Sequence, residues 1–484
     1  MSVTASPAQT APRPPPQRAT TEIEASCRWP LLGLFGSGVL WLFLGLLFAL
    51  IASLKFHDPH FLANEPYWTY GRIHAAHRTA LLYGFGVPAA LGVGLWLLCR
   101  LGRALLAGPG VVLIGIIFWN AAVAIGLIAI LCGGSTGFES FQMPGYVSAI
   151  LFVSYLLIAL CGVLTFHRRA EGRLYPSQWF VLGSFFWFPW IFSTASMLLL
   201  CMPVRGVMQS SIAWWYAHNF SSIFLGFAGL ASIFYFIPKL LGRPLHSHYL
   251  AALAFWTLAL FGSWGGIPNG APLPSWIISL GVVGTVLTAV PVLAVAVNFY
   301  QTVRHDLAAL DADLTLRFTY VALVFWLIAG VQQIVGVLPS VSALTDYTWF
   351  PVAHWELFHY GFFALAMFGA IYYIMPRLLN GNDPPAWSSG LVKAHFWPTF
   401  LGILISYIAL LVGGVGQGFM LNNPKYSFAQ VTRGTLMALR ASTLGDLCIV
   451  VGTIFFLLNF ALLLSRHCRR CWSKNFTAPQ KQRT

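Results

Sequence analysis

The sequence predicts an all-α membrane protein of about twelve transmembrane helices. Hydrophobic residues make up 58% of its 484 residues and charged residues only 8%, whereas a soluble domain carries roughly 25% charged residues. Many apolar runs also approach the roughly 20 residues that cross a bilayer. A chain of this composition lacks the polar surface that a soluble protein exposes to water.

Twelve apolar runs follow one another, and each is predicted to form one membrane-spanning helix of a single domain over residues 28–467. A single run could be a buried helix of a soluble protein, but twelve in series exclude that class. In chain order the runs are Leu32–Leu54, Leu81–Leu98, Val111–Leu131, Val147–Phe166, Phe180–Cys201, Ile212–Ile237, Leu250–Gly266, Ile277–Val297, Phe318–Leu338, Val352–Met375, Phe396–Met420 and Leu447–Leu464.

Lysine and arginine follow the even-numbered runs, whereas the loops after runs three, seven and nine carry neither. Positively charged loops stay in the cytoplasm, so the pattern predicts a multi-pass protein of a bacterial inner (cytoplasmic) membrane with both termini cytoplasmic. The net charge of +14 is explained by this topology and by lipid headgroups, with the lipid bilayer as the partner and no nucleic acid.

The two ends of the chain differ in composition from its middle. Residues 1–27 are rich in proline and polar side chains and are predicted to be a disordered cytoplasmic tail. Residues 468–484 are predicted to be a basic cytoplasmic tail. No cleavable signal is predicted, and no Cys-x-x-Cys-His motif for a covalently attached c-type haem is present.

Five histidines fall inside predicted helices: His74 and His77 in the second, His218 in the sixth, and His354 and His359 in the tenth. Ionisable side chains inside a bilayer are costly, so each of them is a functional candidate. A histidine in an apolar helix without acids is expected to be neutral, the form that ligates haem iron or copper.

The tenth helix is expected to present groups on two sides. His354 and Glu356 are two residues apart and point to nearly opposite sides, and His359 lies three residues past Glu356, back on that side. Such a helix could stand between two haems, one completed by a second-helix histidine and one facing a metal held by the sixth helix. Glu356 is the acid predicted at depth, and Asp446 is expected near a helix end.

Three stretches carry a family resemblance. Trp214–Asn219 reads WWYAHN, Phe234–Lys239 reads FYFIPK and Gly369–Pro376 reads GAIYYIMP. They resemble the WWYGHN and YYFVPK segments and the tenth-helix end of the catalytic subunit of cbb-type cytochrome c oxidases. The resemblance implies the twelve-helix haem–copper oxidase subunit I fold, haem b cofactors, and a copper B ligand at the position of His218.

The departures from that family are concentrated at the copper site. Where the family's seventh helix has a tyrosine and a His-His pair, this chain has Gly262, Pro268 and Asn269, and a ninth-helix glutamate aligns with Gln332. Metal sites of this kind need about three protein ligands. We therefore expect copper to be absent and His218 to be a vestigial copper-site ligand.

The resemblance also implies the haem-iron ligands. His77, His354 and His359 are the expected ligands of one or two haems b, with His354 in the high-spin position. Glu356 occupies the family's low-spin position, so a low-spin haem would use His77 with His359. A gapped alignment instead places His359 on the lost ligand.

The leading functional hypothesis is a haem-b-binding integral membrane subunit of a respiratory electron-transfer complex, oxidase-like but without a functional copper B centre. Its expected partners are cytochrome c-type or quinol-oxidising subunits, and no catalytic residue is assigned. One alternative is an active cytochrome c oxidase or nitric oxide reductase with an atypical metal site at His218 and Glu356. Another is a haem-free structural subunit.

Overall fold

The computed structural model describes residues 20–170, 172–306, 308–380 and 387–477, and all regular structure in this part of the chain is helical. Eleven helices are long and apolar enough to cross a membrane, and one further apolar helix has 15 residues. The predicted fold of twelve apolar helices is confirmed. In chain order they are α1 Thr20–Leu54, α2 Tyr70–Gly102, α3 Pro109–Leu131, α4 Gly145–His167, α5 Pro176–Cys201, α6 Val207–Leu241, α7 His248–Gly262, α8 Ser275–Val303, α9 Leu314–Gly336, α10 Trp349–Leu379, α11 Ser389–Leu421 and α12 Phe428–Arg470.

Helices α2, α6 and α10 form the centre of the bundle. The most apolar 18 residues of α2 and α6 are completely buried and those of α10 are 89% buried, whereas the other long helices bury half or less. A helix that is apolar on all sides and buried on all sides belongs to an interior. All five intramembrane histidines therefore lie on the three central helices.

Each central helix contains one stretch wound as a π-helix. These stretches are Ala80–Gly86 in α2, Asn219–Leu225 in α6 and Leu357–Ala364 in α10. A π-helical stretch widens the helix and often marks a functional site. Here the stretches begin close to His77 and His218, and the third contains His359.

Helix α7 is shorter than the sequence predicted. Its predicted segment ran to Gly266, but the helix ends at Gly262 and the chain turns through Ser263–Gly266. Gly266 has a φ of +99°, a conformation that glycine adopts without strain. The 15 residues of α7 span roughly 22 Å at 1.5 Å per residue, less than a hydrocarbon core.

The chain ends also depart from the predicted boundaries. Helix α1 begins at Thr20, so residues 20–27 of the predicted tail are helical. The last helix continues to Thr477, which extends it into the predicted C-terminal tail. Residues 1–19 and 478–484 of those predictions lie outside the described residues.

Both described ends lie at one end of the bundle. Arg28 near the start of α1 donates a hydrogen bond to the carbonyl of Leu378 at the end of α10 (2.6 Å). The even-numbered helices end on this side, as does the run of basic residues that follows them. The positive-inside pattern therefore places this end in the cytoplasm as a prediction.

Candidate functional site

Two cavities flank α10 on opposite sides. A cavity of about 320 Å³ is lined by α6, α9, α10 and the turn after α7, and it contains His218 and His354. A smaller one of about 60 Å³ lies among α1, α2, α10 and α12 and contains His77 and Glu356. His354 and Glu356 thus face different cavities, as their two-residue spacing predicts.

His354 is a buried imidazole in the wall of the large cavity. Its side chain is 7% exposed, and among the described residues neither ring nitrogen makes a hydrogen bond of good geometry, although the Ala329 backbone lies nearby. The ring packs edge to face on Trp355, with centroids 4.8 Å apart. Buried polar atoms are almost always paired, so an orphaned imidazole at a cavity wall fits a ligand of a metal or haem iron.

His218 lines the same cavity, but one of its ring nitrogens already makes a hydrogen bond. Its Nε2 lies 2.8 Å from the carbonyl oxygen of Gly262. Because a carbonyl only accepts, Nε2 must carry the proton and donate it. A protonated ring nitrogen is not a metal ligand, so only Nδ1 of His218 keeps a lone pair.

The turn after α7 holds His218 in this position. A Cβ added at Gly265 would lie 2.7 Å from His218 Nε2, and one added at Gly266 would overlap His218 Cβ. A Cβ at Gly262 would lie 2.9 Å from Ile223 Cδ1. The glycines therefore allow the α7 backbone to occupy space beside the imidazole that larger side chains would need.

The other positions that align with family site residues are paired through their amide nitrogens, whereas Asn269 Oδ1 and Gln332 Oε1 are buried without a hydrogen-bond partner among the described residues. Asn269 donates hydrogen bonds from its amide to the Val337 carbonyl (2.9 Å) and to Ser342 Oγ (2.6 Å). Gln332 donates to the carbonyl of Phe350 (3.2 Å). Among the described residues, no group of three or more His, Cys, Asp or Glu side chains is placed to hold a metal ion.

His77 lines the smaller cavity and is oriented by its own hydrogen bond. Its Nδ1 donates to the carbonyl of Gly45 in α1 (3.0 Å), which is possible because α1 and α2 approach closely at this glycine. A backbone carbonyl on one ring nitrogen fixes the tautomer and leaves Nε2 as the available ligand atom. The ring lies nearly parallel to Tyr360, with centroids 6.5 Å apart.

Asp446 is a site residue that sequence reasoning placed elsewhere. It was expected near a helix end, but α12 begins at Phe428, so Asp446 lies well inside the helix and lines the small cavity with Glu356 and His77. The boundary was misplaced because the polar stretch before Leu447 lowers local hydropathy. The sequence therefore does not predict that the carboxyl groups of Glu356 and Asp446 line the same cavity.

The other two predicted histidines have different surroundings. His359 Nε2 lies 2.9 Å from Ser221 Oγ of α6, and its ring stacks on Trp355 with centroids 5.6 Å apart. It lines neither cavity. His74 stacks on Tyr70 (5.6 Å) and borders the small cavity.

His395 is a further buried histidine, next to the predicted eleventh apolar run that begins at Phe396. It is fully buried in α11, where Tyr372 lies 2.9 Å from its Nδ1. Its Nε2 is buried without a hydrogen-bond partner among the described residues. No signal in the local sequence distinguishes this histidine from the loop histidines.

Charged groups border the mouth of the large cavity. Buried Arg78 lies 3.3 Å from the carboxylate of Glu139. In the loop before α10, burial raises the pKa of the Asp346 carboxyl, although a backbone hydrogen bond from Asn269 partly opposes this. Burial and the neighbouring Asp346 also raise the pKa of the Tyr347 phenol.

Known proteins share this sequence pattern and fold. A profile of the family described as cytochrome c and quinol oxidase polypeptide I matches residues 31–448. The cytochrome c oxidase subunit 1 homolog of Azorhizobium caulinodans is 28% identical over 459 residues, covering 88% of this chain and 80% of that protein. A cbb3-type cytochrome c oxidase subunit of Stutzerimonas stutzeri is 24% identical over 392 residues, covering 79% and 82%.

One solved structure, of a haem–copper terminal oxidase dimer, superimposes with a TM-score of 0.71 at 14% identity and covers 91% of this chain and 84% of that chain. This likeness concerns the fold, and it agrees with the twelve helices described above. The resemblance inferred from the WWYAHN and GAIYYIMP segments is confirmed by the family match. The chain belongs to the cytochrome c and quinol oxidase polypeptide I family, as a divergent haem–copper oxidase subunit I.

Proposed function

We propose that this chain is a haem-b-binding integral membrane subunit of a respiratory electron-transfer complex that lacks a functional copper B centre. Membership of the oxidase subunit I family supports a role in electron transport within a membrane complex. The partners that we propose are cytochrome c-type or quinol-oxidising subunits in a bacterial inner membrane. Both termini would face the cytoplasm.

The donor set of the large cavity fits a haem. His354 would ligate the iron, since both of its ring nitrogens are buried and neither makes a hydrogen bond of good geometry with the part of the chain that the structure describes. When bound, the haem would supply a centre that accepts and releases one electron. The protein would contribute the apolar wall, including Trp355, that keeps bulk water from the site.

The smaller cavity fits a haem in its donor atoms but not in its size. His77 offers Nε2, and Glu356 lines the same space, but about 60 Å³ holds only one or a few waters. The alternative pairing of His77 with His359 is not supported, because His359 faces Ser221 of α6. We therefore assign one haem to His354, and a second haem at His77 stays a prediction.

A single observation carries the proposal on copper: His218 Nε2 donates to the Gly262 carbonyl at 2.8 Å. Among the described residues, no group of three or more His, Cys, Asp or Glu side chains is placed to make up for Pro268 and Asn269. A cation held by one remaining lone pair would stay poorly solvated in an apolar interior, which is strongly unfavourable.

The rival hypothesis of an atypical oxidase or nitric oxide reductase centre needs His218 and Glu356 to share a metal. Glu356 lines the small cavity on the other side of α10, whereas His218 lines the large one. This separation disfavours a joint site. The haem-free alternative gains no specific support, because it leaves the orphaned His354 unexplained.

The deciding experiment is a haem and metal count on the purified complex. We expect a reduced-minus-oxidised spectrum of haem b, iron equal to the haem content, and copper far below one per chain. We also expect no cyanide-sensitive oxygen uptake with reduced cytochrome c. Stoichiometric copper or cyanide-sensitive uptake would establish the oxidase hypothesis instead, and a preparation without haem would establish the structural-subunit hypothesis.

A further inference from the structure

A third cavity, of about 580 Å³, opens at the end of the bundle where both described termini lie. Its walls come from the start of α1, the end of α2, the segment before α5, the end of α6 and the start of α7. A volume of this size falls within the roughly 300–1,000 Å³ of small-molecule sites. It lies apart from both histidine cavities and shares no lining residue with them.

The described lining of this cavity is strongly basic. Arg100, Arg103, Arg173 and Lys239 all line it, together with His248, and no acidic side chain is among the described lining residues. Helices distant in sequence bring these charges together, so the cluster is a product of the fold. Like charges that converge on one concave space raise the local potential and attract anions.

The described contact between Arg100 and an acid is weak. Glu24 approaches Arg100 to 3.9 Å, the outer limit of an ion pair, with 26% of the Arg100 side chain exposed. A contact of that length between a partly exposed arginine and a carboxylate contributes little. This contact therefore leaves the Arg100 guanidinium able to bind a ligand.

Gln178 supplies an independent sign of a ligand. It is 1% exposed and lines the cavity, and its Oε1 accepts the backbone N–H of Tyr175 at 3.0 Å. Its Nε2 is buried without a hydrogen-bond partner among the described residues. A buried amide donor in this position calls for an acceptor inside the cavity.

The Tyr175 side chain fixes the start of α5, which carries Gln178. Its hydroxyl donates to the carbonyl of Phe234 in α6 (2.9 Å), and its ring meets His248 of α7 edge to face at 5.5 Å. Because Tyr175 bridges these helices, the Gln178 amide is fixed in its orientation. The donor is therefore pre-organised and does not depend on a flexible surface side chain.

We propose that this cavity binds a phosphate group through Arg100, Arg173, Lys239 and the Gln178 amide. Phosphate oxygens accept hydrogen bonds from guanidinium, ammonium and amide donors alike. An anionic phospholipid headgroup and a free inorganic phosphate both present this chemistry. A basic pocket between transmembrane helices on the cytoplasmic side suits a lipid headgroup.

The test compares four forms of the full chain purified in its complex. Gln178→Glu keeps an oxygen for the Tyr175 N–H but replaces the orphaned donor with a negative charge. The double variant Arg173→Gln/Lys239→Gln removes two of the charges. Lys393→Gln, at an exposed position at the start of α11 on the same end of the bundle, is the matched control.

The first arm measures lipid retained by each protein, by native mass spectrometry after extraction from vesicles of equal phosphatidylglycerol and phosphatidylcholine. We expect the wild type and Lys393→Gln to retain phosphatidylglycerol, and Gln178→Glu and the double variant to lose at least about tenfold in retention, since hydrogen bonds to charged groups are strong.

The second arm titrates inorganic phosphate into the proteins in nanodiscs of phosphatidylcholine alone, by calorimetry. Saturable binding that is weakened in Gln178→Glu and the double variant would support the site and identify a free anion as its ligand, whereas an effect in the lipid arm alone would identify a headgroup. The proposal is overturned if the wild type shows neither, or if Gln178→Glu binds as well as Lys393→Gln.

Discussion

The two cavities on either side of α10 differ in the groups that surround their histidines. On the α6 and α7 side, glycine backbone lies against His218, which donates a hydrogen bond to that backbone. On the α2 and α12 side, the carboxyl groups of Glu356 and Asp446 line the cavity together with the imidazole of His77. The first side holds its imidazole through the backbone, whereas the second combines an imidazole with two carboxyl groups.

This difference shows that the facing helix controls each imidazole. The α7 turn supplies a carbonyl to Nε2 of His218, so only its Nδ1 is open to a ligand. Among the described residues, neither ring nitrogen of His354 makes a hydrogen bond of good geometry, although the Ala329 backbone lies nearby. Two histidines of one cavity therefore differ in how many ring nitrogens are open to a ligand.

The largest expected effect is on haem content, and it distinguishes the two histidines of the large cavity, His354 and His218. His354→Ala should remove the haem assigned there, because the other described imidazole of that cavity, His218, is held by its hydrogen bond to the Gly262 carbonyl. His218→Ala should leave the haem content unchanged, since its Nε2 is occupied by Gly262. Haem per chain, measured by the pyridine haemochrome spectrum, decides this, and equal losses in the two variants would remove the contrast between them.

A second substitution should convert the small cavity toward the family pattern. Glu356→His would place an imidazole on the side of α10 that faces His77, two residues from His354. If a haem occupies this site, we expect a new low-spin bis-histidine signal by electron paramagnetic resonance. Adding His77→Ala to Glu356→His should abolish the signal, and a signal that survives would assign it to another pair.

The glycine turn after α7 should be sensitive to any side chain. Gly266→Ala combines a φ of +99° with an overlap against His218 Cβ, so we expect a loss of about 2–5 kcal/mol in stability. Gly270→Ala is the matched control, because a Cβ there meets nothing within 4 Å. Thermal unfolding in detergent measures both, and equal midpoints would show that the turn can relax.

The smallest expected effect concerns pH at the mouth of the large cavity. Burial raises the pKa of the Asp346 carboxyl above its ordinary value, so the folded state holds this proton more tightly than the unfolded state. The stability from this group is present below the unfolded pKa and is lost as pH rises through the folded pKa.

Asp346→Asn should therefore be slightly more stable than the wild type near pH 7, with a difference that shrinks or reverses toward roughly pH 4. Glu65→Gln, in the exposed loop after α1, is the matched control. Unfolding midpoints across this pH range provide the measurement. A constant difference between Asp346→Asn and the wild type would argue against a buried carboxyl.

The sequence by itself determined the number of apolar helices and the residue types that stand where the family resemblance places copper ligands. Hydropathy is a local property of each segment, so twelve apolar runs predict twelve helices without knowledge of their neighbours. The residues at Gly262, Pro268 and Asn269 can likewise be seen directly, because glycine, proline and asparagine offer no imidazole in any fold. The opposite orientation of His354 and Glu356 followed from helix geometry alone.

Only the tertiary structure decided which of the remaining side chains are available. That His218 bonds to the Gly262 carbonyl, that Asp446 joins the cavity of Glu356, and that Gln178 keeps an unpaired amide all depend on contacts between segments distant in sequence. The length of α7 was decided in the same way, since its end at Gly262 reflects packing against α6. Hydropathy and motif spacing report what a segment is made of, whereas the partner of a buried polar atom is set by the helix that packs against it.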